Sequence, residues 1–207
     1  MTKNRQTKAV PVAALAGNPN VGKSTIFNAL TGMRQHTGNW PGKTVSLAQG
    51  VCMYKGEEIR LVDLPGTYAL VSKSQEETLA AEFISGGEAD CVIAVCDATS
   101  LERSLILALQ VMELTDRVIV CVNLMDEAQK QGIEIDLAAL SFELGVPVVA
   151  ASASREEGMG ELLEQLRRIL DGFEVPRPRR CGVVSDSIRE SHLGAEALRG
   201  ASGRASD

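Results

Sequence analysis

Apolar runs of strand length alternate along the chain with segments whose apolar residues recur every three or four positions. Residues 10–16 form an unbroken apolar run, the pattern of a buried strand, and residues 24–31 read as the helix after it. Residues 45–54 and 58–62 flank Lys55-Gly56-Glu57, which predicts a hairpin. Residues 75–84 follow as a helix ended by Gly86-Gly87, then 91–96 as a strand. Leucines at helical spacing mark 101–114, and 118–122 is the next apolar strand. The last units are a helix over 136–144, capped by Asp136 and stopped by Gly145, a strand over 146–150 and a helix over 159–170.

Strands that alternate with helices of this length predict an α/β domain over residues 10–171, with a mainly parallel six-stranded sheet and helices on both faces. Loops that leave the carboxyl ends of such strands are where this kind of sheet binds ligands. Residues 1–9 read as an N-terminal extension. Residues 172–207 change character: they are rich in Arg, Gly, Ser and Pro, with Pro176-Arg177-Pro178-Arg179-Arg180 as a stiff basic break. Within this tail, 185–198 is compatible with one amphipathic helix, and the rest reads as disordered.

Composition narrows the functions. A net charge of −6 argues against non-specific binding to nucleic acid or anionic membrane. Aromatic residues at 3% are too sparse for a base-stacking platform. No apolar run approaches the ~20 residues of a spanning helix, so this chain alone is not expected to cross a membrane. Lys3, Arg5 and Lys8 ahead of the first apolar run imitate a signal peptide, but that run leads straight into a glycine loop, as a first strand does. Cys91, Cys96 and Cys121 lie in apolar strands and read as buried thiols, while Cys52 and Cys181 stand alone. With no C-x-x-C pair, and with His36 and His192 far apart, neither zinc nor a disulfide framework is indicated. A reducing, cytosolic setting fits this cysteine usage.

Five short segments carry the chemistry. Gly17-Asn18-Pro19-Asn20-Val21-Gly22-Lys23-Ser24 matches G-x-x-x-x-G-K-[ST] and sits between a predicted strand and helix, the context this phosphate loop requires. Its glycines let backbone N–H groups turn inward toward phosphate oxygens, and the helix behind it presents its N-terminus to the anion. Lys23 is the cation for the β and γ phosphates, and Ser24 is the hydroxyl for Mg²⁺. Thr25 belongs to the first helical turn. Asp63 closes an apolar strand and reads as the acid that holds Mg²⁺ through water, and Gly66 admits a backbone N–H close to the γ-phosphate. A simple type II turn at Pro65-Gly66 looks the same locally.

Asn123-Leu124-Met125-Asp126 follows the fifth strand. A carboxylate here accepts from both the ring N–H and the exocyclic amino group of guanine, donors that adenine lacks, which favours GTP over ATP. Asn123 steadies the loop and meets the other purine edge. Ser152-Ala153-Ser154, after the sixth strand, completes the base pocket by backbone contact or is a plain turn. Between the first helix and second strand, Gly32 to Lys43 is polar and glycine-rich. Thr44 is the candidate switch hydroxyl that reaches Mg²⁺ when the γ-phosphate is present, with Thr25, Thr31 and Thr37 as rivals. Trp40 reads equally as a buried anchor or an exposed contact.

With these segments in view, the chain closely resembles the amino-terminal G domain of FeoB-type ferrous iron transporters, over about residues 10–171. The resemblance rests on the phosphate loop, Thr31-Gly32, Gly38-Asn39-Trp40-Pro41-Gly42, Thr44-Val45, Asp63-Leu64-Pro65-Gly66-Thr67-Tyr68, Asp97-Ala98-Thr99-Ser100-Leu101-Glu102-Arg103 and Asn123 to Asp126. It implies a Ras-like P-loop GTPase fold of the K⁺-activated class, binding GTP or GDP with Mg²⁺. It also implies a cytoplasmic module at the inner face of the bacterial plasma membrane, regulating Fe(II) uptake beside a membrane permease domain or chain. In that family the asparagine matching Asn20 helps bind a K⁺ ion that accelerates hydrolysis; read from its own chemistry, Asn20 is also a turn residue tolerant of the left-handed conformation. Family members continue into a helical bundle and a polytopic membrane domain, which the tail after Leu170 does not match.

Thr67 stands where Ras-like proteins place the glutamine that orients the attacking water, so slow intrinsic turnover is expected. Lys23, Thr44, Gly66 and Asn20 are the residues expected to act in hydrolysis. Two rival readings stay open: a GTP-dependent binding switch with negligible turnover, and a K⁺-activated GTPase of ribosome assembly or tRNA modification. The acidic charge counts against the second.

Overall fold

A computed structural model of the chain describes residues 10–32, 35–39, 46–70, 74–180 and 182. One twisted sheet forms the middle layer. In chain order its strands are β1 (Val12–Gly17), β2 (Gln35–Asn39), β3 (Ser46–Tyr54), β4 (Glu57–Asp63), β5 (Cys91–Asp97), β6 (Val118–Asn123) and β7 (Val148–Ala150). Their spatial order is β2-β3-β4-β1-β5-β6-β7. The five strands from β4 to β7 are parallel, and β2 and β3 run antiparallel at one edge.

Six of these strands match the pattern read from the sequence; β2 is added from the stretch expected to be loop. Its residues, Gln-His-Thr-Gly-Asn, carry no apolar alternation. Backbone pairing with β3 makes it a strand, from Gln35 opposite Gly50 to Asn39 opposite Ser46. A ladder hydrogen bond is blind to the side chain, so a polar edge strand leaves no periodic trace.

Six helices cover the sheet: α1 (Lys23–Thr31), α2 (Gln75–Ser85), α3 (Leu101–Leu114), α4 (Met125–Lys130), α5 (Leu137–Leu144) and α6 (Met159–Leu170). The side-chain period of two sorts the central strands into two cores. Val92, Ala94, Val118, Val120 and Val122 face α2 and α3 with Leu79, Phe83, Leu107, Val111 and Met112. Ala13, Leu15, Ile59, Leu61, Ile93, Ile119 and Val149 face α1 and α6 with Ile26, Phe27, Leu162, Leu166 and Ile169. Burying each large side chain contributes about 1.5–3 kcal/mol, so the two cores together fix the strand order.

Local signals set the helix ends. Ser74 and Glu77 form a reciprocal capping box at α2. Asp136 caps α5 through the Ala139 amide, and Gly145 ends it at φ 72°, both as the sequence predicts. Helix α4 was missed because six residues are too few for a periodic stripe.

The four thiols among the described residues, Cys52, Cys91, Cys96 and Cys121, are buried and free. Burial pushes Cys52 up to about 11 and Cys91 and Cys96 up to about 12, so they stay protonated and inert. Cys181 and the helix expected over 185–198 lie outside the described residues. Among the described residues, no helix is long and apolar enough to cross a membrane.

The start of the tail returns to the domain. The Arg177 and Arg179 amides donate to the carbonyls of Gly145 and Leu144. Arg179 also lies over the Phe142 ring, and Arg180 donates to the Met112 carbonyl and to Asp116.

Candidate functional site

Strand register sets the first level of the site. Leu15 is opposite Asp63, Gly17 opposite Val95, and Asp97 opposite Asn123. Gly17, Asp63 and Asn123 therefore leave the sheet at its carboxyl edge. This is the placement the alternating pattern anticipated.

The loop between β1 and α1 turns through two left-handed residues, Asn20 at φ 67° and Gly22 at φ 85°. Gly22 has no substitute. A Cβ there would sit 2.2 Å from the Asn123 amide nitrogen, in a conformation that side chains avoid. Gly66 permits a second close approach: its Cβ would meet the Pro19 backbone at 3.2 Å. The Thr67 amide donates to the Gly17 carbonyl at 3.3 Å, so the Asp63-to-Thr67 segment is drawn against the phosphate loop.

Lys23, Ser24 and Asp63 converge. Lys23 Nζ lies 2.8 Å from Asp63 Oδ1, and Ser24 Oγ donates to Asp63 Oδ2 at 2.9 Å. Lys23 is nine-tenths buried and Asp63 nearly so, so the pair neutralises two charges that are costly apart. A hydroxyl and a carboxylate meeting at a helix N-terminus are hard oxygen donors of the type Mg²⁺ takes, and the residues present fit that ion. Asn18 is buried, with Oδ1 lacking any hydrogen-bond partner. Thr25 is exposed in the first turn of α1, Val21 is buried and Pro19 half-buried.

Asn123 ties the two halves of the site together. It is 1% exposed, donates from Nδ2 to the Val21 carbonyl at 3.0 Å, and accepts at Oδ1 from the Ala153 amide at 3.0 Å. The Asp126 amide donates to Ser152 Oγ, and the Met125 amide to the Ala151 carbonyl. Leu124, just before them, is left-handed at φ 63°. Ser152 and Ala153 are thus bound into the base loop, while Ser154 is exposed within the short 3₁₀ turn Ala153–Arg155. Asp126 is buried with Oδ1 unpartnered, and its Oδ2 lies 3.3 Å from Arg155 Nε.

The sequence reading named most of these residues but not Arg155, whose signal was adjacency to Ser152-Ala153-Ser154. It also left Asp97 without a role. Asp97 accepts from the Thr99 amide and from the hydroxyls of Thr99 and Ser100, shaping the turn into α3. Of the rivals to Thr44, Thr31 is spent on the Phe27 carbonyl. Thr44 and Trp40 lie outside the described residues. No group of three or more His, Cys, Asp or Glu suited to a metal occurs among the described residues.

The arrangement is an anion cradle with a buried cation, two hard-oxygen donors beside it and a desolvated carboxylate on a neighbouring loop. The family model for ferrous iron transport protein B matches residues 11–166. The Fe(2+) transporter FeoB of Salmonella typhi is 47% identical over 187 residues, 85% of this chain and 24% of that protein. Its counterpart in Escherichia coli K12 is 44% identical over 165 residues, 78% of this chain and 21% of that one. The chain thus spans less than a quarter of the length of these curated relatives. Among solved structures, the cytosolic domain of the T. maritima FeoB iron transporter in a GDP form superposes with a TM-score of 0.78 at 43% identity, covering 82% of this chain and 67% of that one. The FeoB G domain from Methanococcus jannaschii gives 0.69 at 42%, covering 78% and 98%. The chain therefore belongs to the ferrous iron transport protein B family and has the Ras-like P-loop fold of its G domain.

Proposed function

We propose that this domain binds GTP with Mg²⁺, hydrolyses it slowly, and through that cycle regulates Fe(II) uptake by a membrane permease domain or chain at the cytoplasmic face. The observation that carries this reading is the convergence of Lys23 and Ser24 on Asp63 at the mouth of the glycine loop. These three groups satisfy one another. With nucleotide present, Lys23 turns from Asp63 to the β and γ phosphates, and the loop amides hold the phosphate oxygens. Ser24 and Asp63 would then hold Mg²⁺, with Thr44 as the switch ligand. The bound ion supplies charge neutralisation at the β and γ phosphates. Met125, Asp126 and the Ser152-Ala153-Ser154 turn form the base pocket around Asn123.

Thr67 supports slow turnover. It is 6% exposed and its amide is engaged with Gly17, so no side chain there is placed to orient water. The same burial favours, as a second reading, a GTP-dependent switch whose turnover is incidental. Asn20 is exposed and left-handed, and no hydrogen bond holds its side chain among the described residues, which leaves it free to contribute to a K⁺ site near the phosphates.

GTP hydrolysis by the purified chain with Mg²⁺, in K⁺ against Na⁺ and with ATP as control, tests this directly. GTP-selective turnover raised by K⁺ is expected. Equal turnover of ATP would remove the guanine assignment. GTP binding with no turnover in either salt would leave the switch reading.

A further inference from the structure

Asp126 is a carboxylate largely withdrawn from water. Its side chain is 8% exposed, and Oδ1 is buried with no hydrogen-bond partner. Oδ2 is 3.3 Å from Nε of Arg155, whose own side chain is half exposed. Arg155 ends the 3₁₀ turn that Asn123 grips through the Ala153 amide, so the guanidinium is delivered to the carboxylate by a fixed loop. An isolated buried carboxylate is costly, and a guanidinium beside it offsets that cost. The donors on the guanine edge seek the same carboxylate that Arg155 faces through Oδ2.

We propose that Arg155 stands in for guanine in the nucleotide-free chain, neutralising Asp126 until the base displaces it, and so sets guanine-nucleotide affinity by competition. This rests on reading Asp126 as the base-binding carboxylate. Guanine presents two adjacent donors and needs both oxygens; Oδ1 is buried without a partner and Oδ2 faces Arg155 at 3.3 Å. The guanidinium has somewhere to go. A cavity of about 360 Å³ beside the pair is lined by Gln129, Glu134 and Glu157 as well as by Asp126 and Arg155, and the two glutamates offer it alternative carboxylates.

The competing geometry keeps Arg155 behind the carboxylate while guanine binds, and it predicts the opposite sign. Stopped-flow association, dissociation and equilibrium titration of the full chain with N-methylanthraniloyl-GDP separate the two. Arg155→Gln is expected to tighten binding by roughly two- to fivefold, the worth of a partly exposed ion pair, through faster association with unchanged release. Arg155→Lys, which keeps the charge, is expected to stay near wild type. Unchanged affinity in Arg155→Gln, weaker binding, or faster release each overturns the competition. A gain of the same size in Arg155→Lys would show a loop effect instead and also overturns it. If wild type fails to prefer the GDP probe over its ADP analogue, the base-site reading of Asp126 falls and the proposal with it. A guanine-selective wild type with an unaltered Arg155→Gln variant overturns this inference alone.

Discussion

The two ends of the sheet are built on opposite terms. At the carboxyl ends of the strands polar atoms wait and left-handed residues gather, although the hairpin residue Lys55 at the other end is left-handed too, at φ 51°. Asn20, Gly22 and Leu124 are left-handed, and Asn18 Oδ1 and Asp126 Oδ1 are buried without partners. At the amino ends, charges are paired off. Arg167 lies between Glu57 and Asp171, Arg168 meets Glu174, Arg179 meets Glu143, and Arg180 meets Asp116. Asp90 spends an oxygen on the Val12 amide at the same end. Strain and unmet hydrogen bonds each cost about 1–3 kcal/mol, and they persist where the surrounding core over-determines the fold. The end that forgoes stability is the end where a ligand can supply it.

The contrast separates residues that act on nucleotide from residues that hold the fold. Lys23→Ala should fall at the extreme: GTP turnover is expected to drop about a hundredfold or more, because the buried cation proposed to meet the phosphates is lost. Single-turnover hydrolysis reads this, and a drop of less than tenfold would remove Lys23 from the phosphate site. Asn123→Ala comes next, since it cuts both clips at once. Thermal unfolding should lose about 1–3 kcal/mol and nucleotide affinity should fall with it, because the Val21 carbonyl and Ala153 amide are left unpaired. A variant that weakens binding at unchanged stability would show that Asn123 touches only the ligand. Arg167→Ala probes the other end and should be the mildest. Its side chain is mostly covered but its partners Glu57 and Asp171 are more open, so stability is expected to fall by about 1 kcal/mol while GTP turnover is unchanged. Turnover that followed Arg167 would mean that the two ends are coupled.

Much of the carboxyl end was legible because its chemistry is local. A glycine loop between a strand and a helix, a carboxylate closing an apolar strand, and an asparagine three residues before an aspartate each have a physical reason readable within a few residues. The amino end had no such signal. Arg167 finds Glu57 across 110 positions, and Arg180 finds Asp116 across 64, pairings that no window of sequence contains. Thr31 was a plausible switch hydroxyl until the helix gave it the Phe27 carbonyl.

Hydrophobic period and the order of the motifs determined, by themselves, the α/β class and, among the described residues, six of the seven strands and five of the six helices. These follow from short-range sterics and from the burial of one face of each element. Tertiary structure alone decided that polar residues 35–39 become an edge strand, that Asn123 bridges the phosphate loop to the Ser152-Ala153 turn, and that Arg155 reaches Asp126. The reason is the same in each case. Backbone ladders and paired polar groups depend on what the fold brings within about 3 Å, and distance along the chain does not encode that.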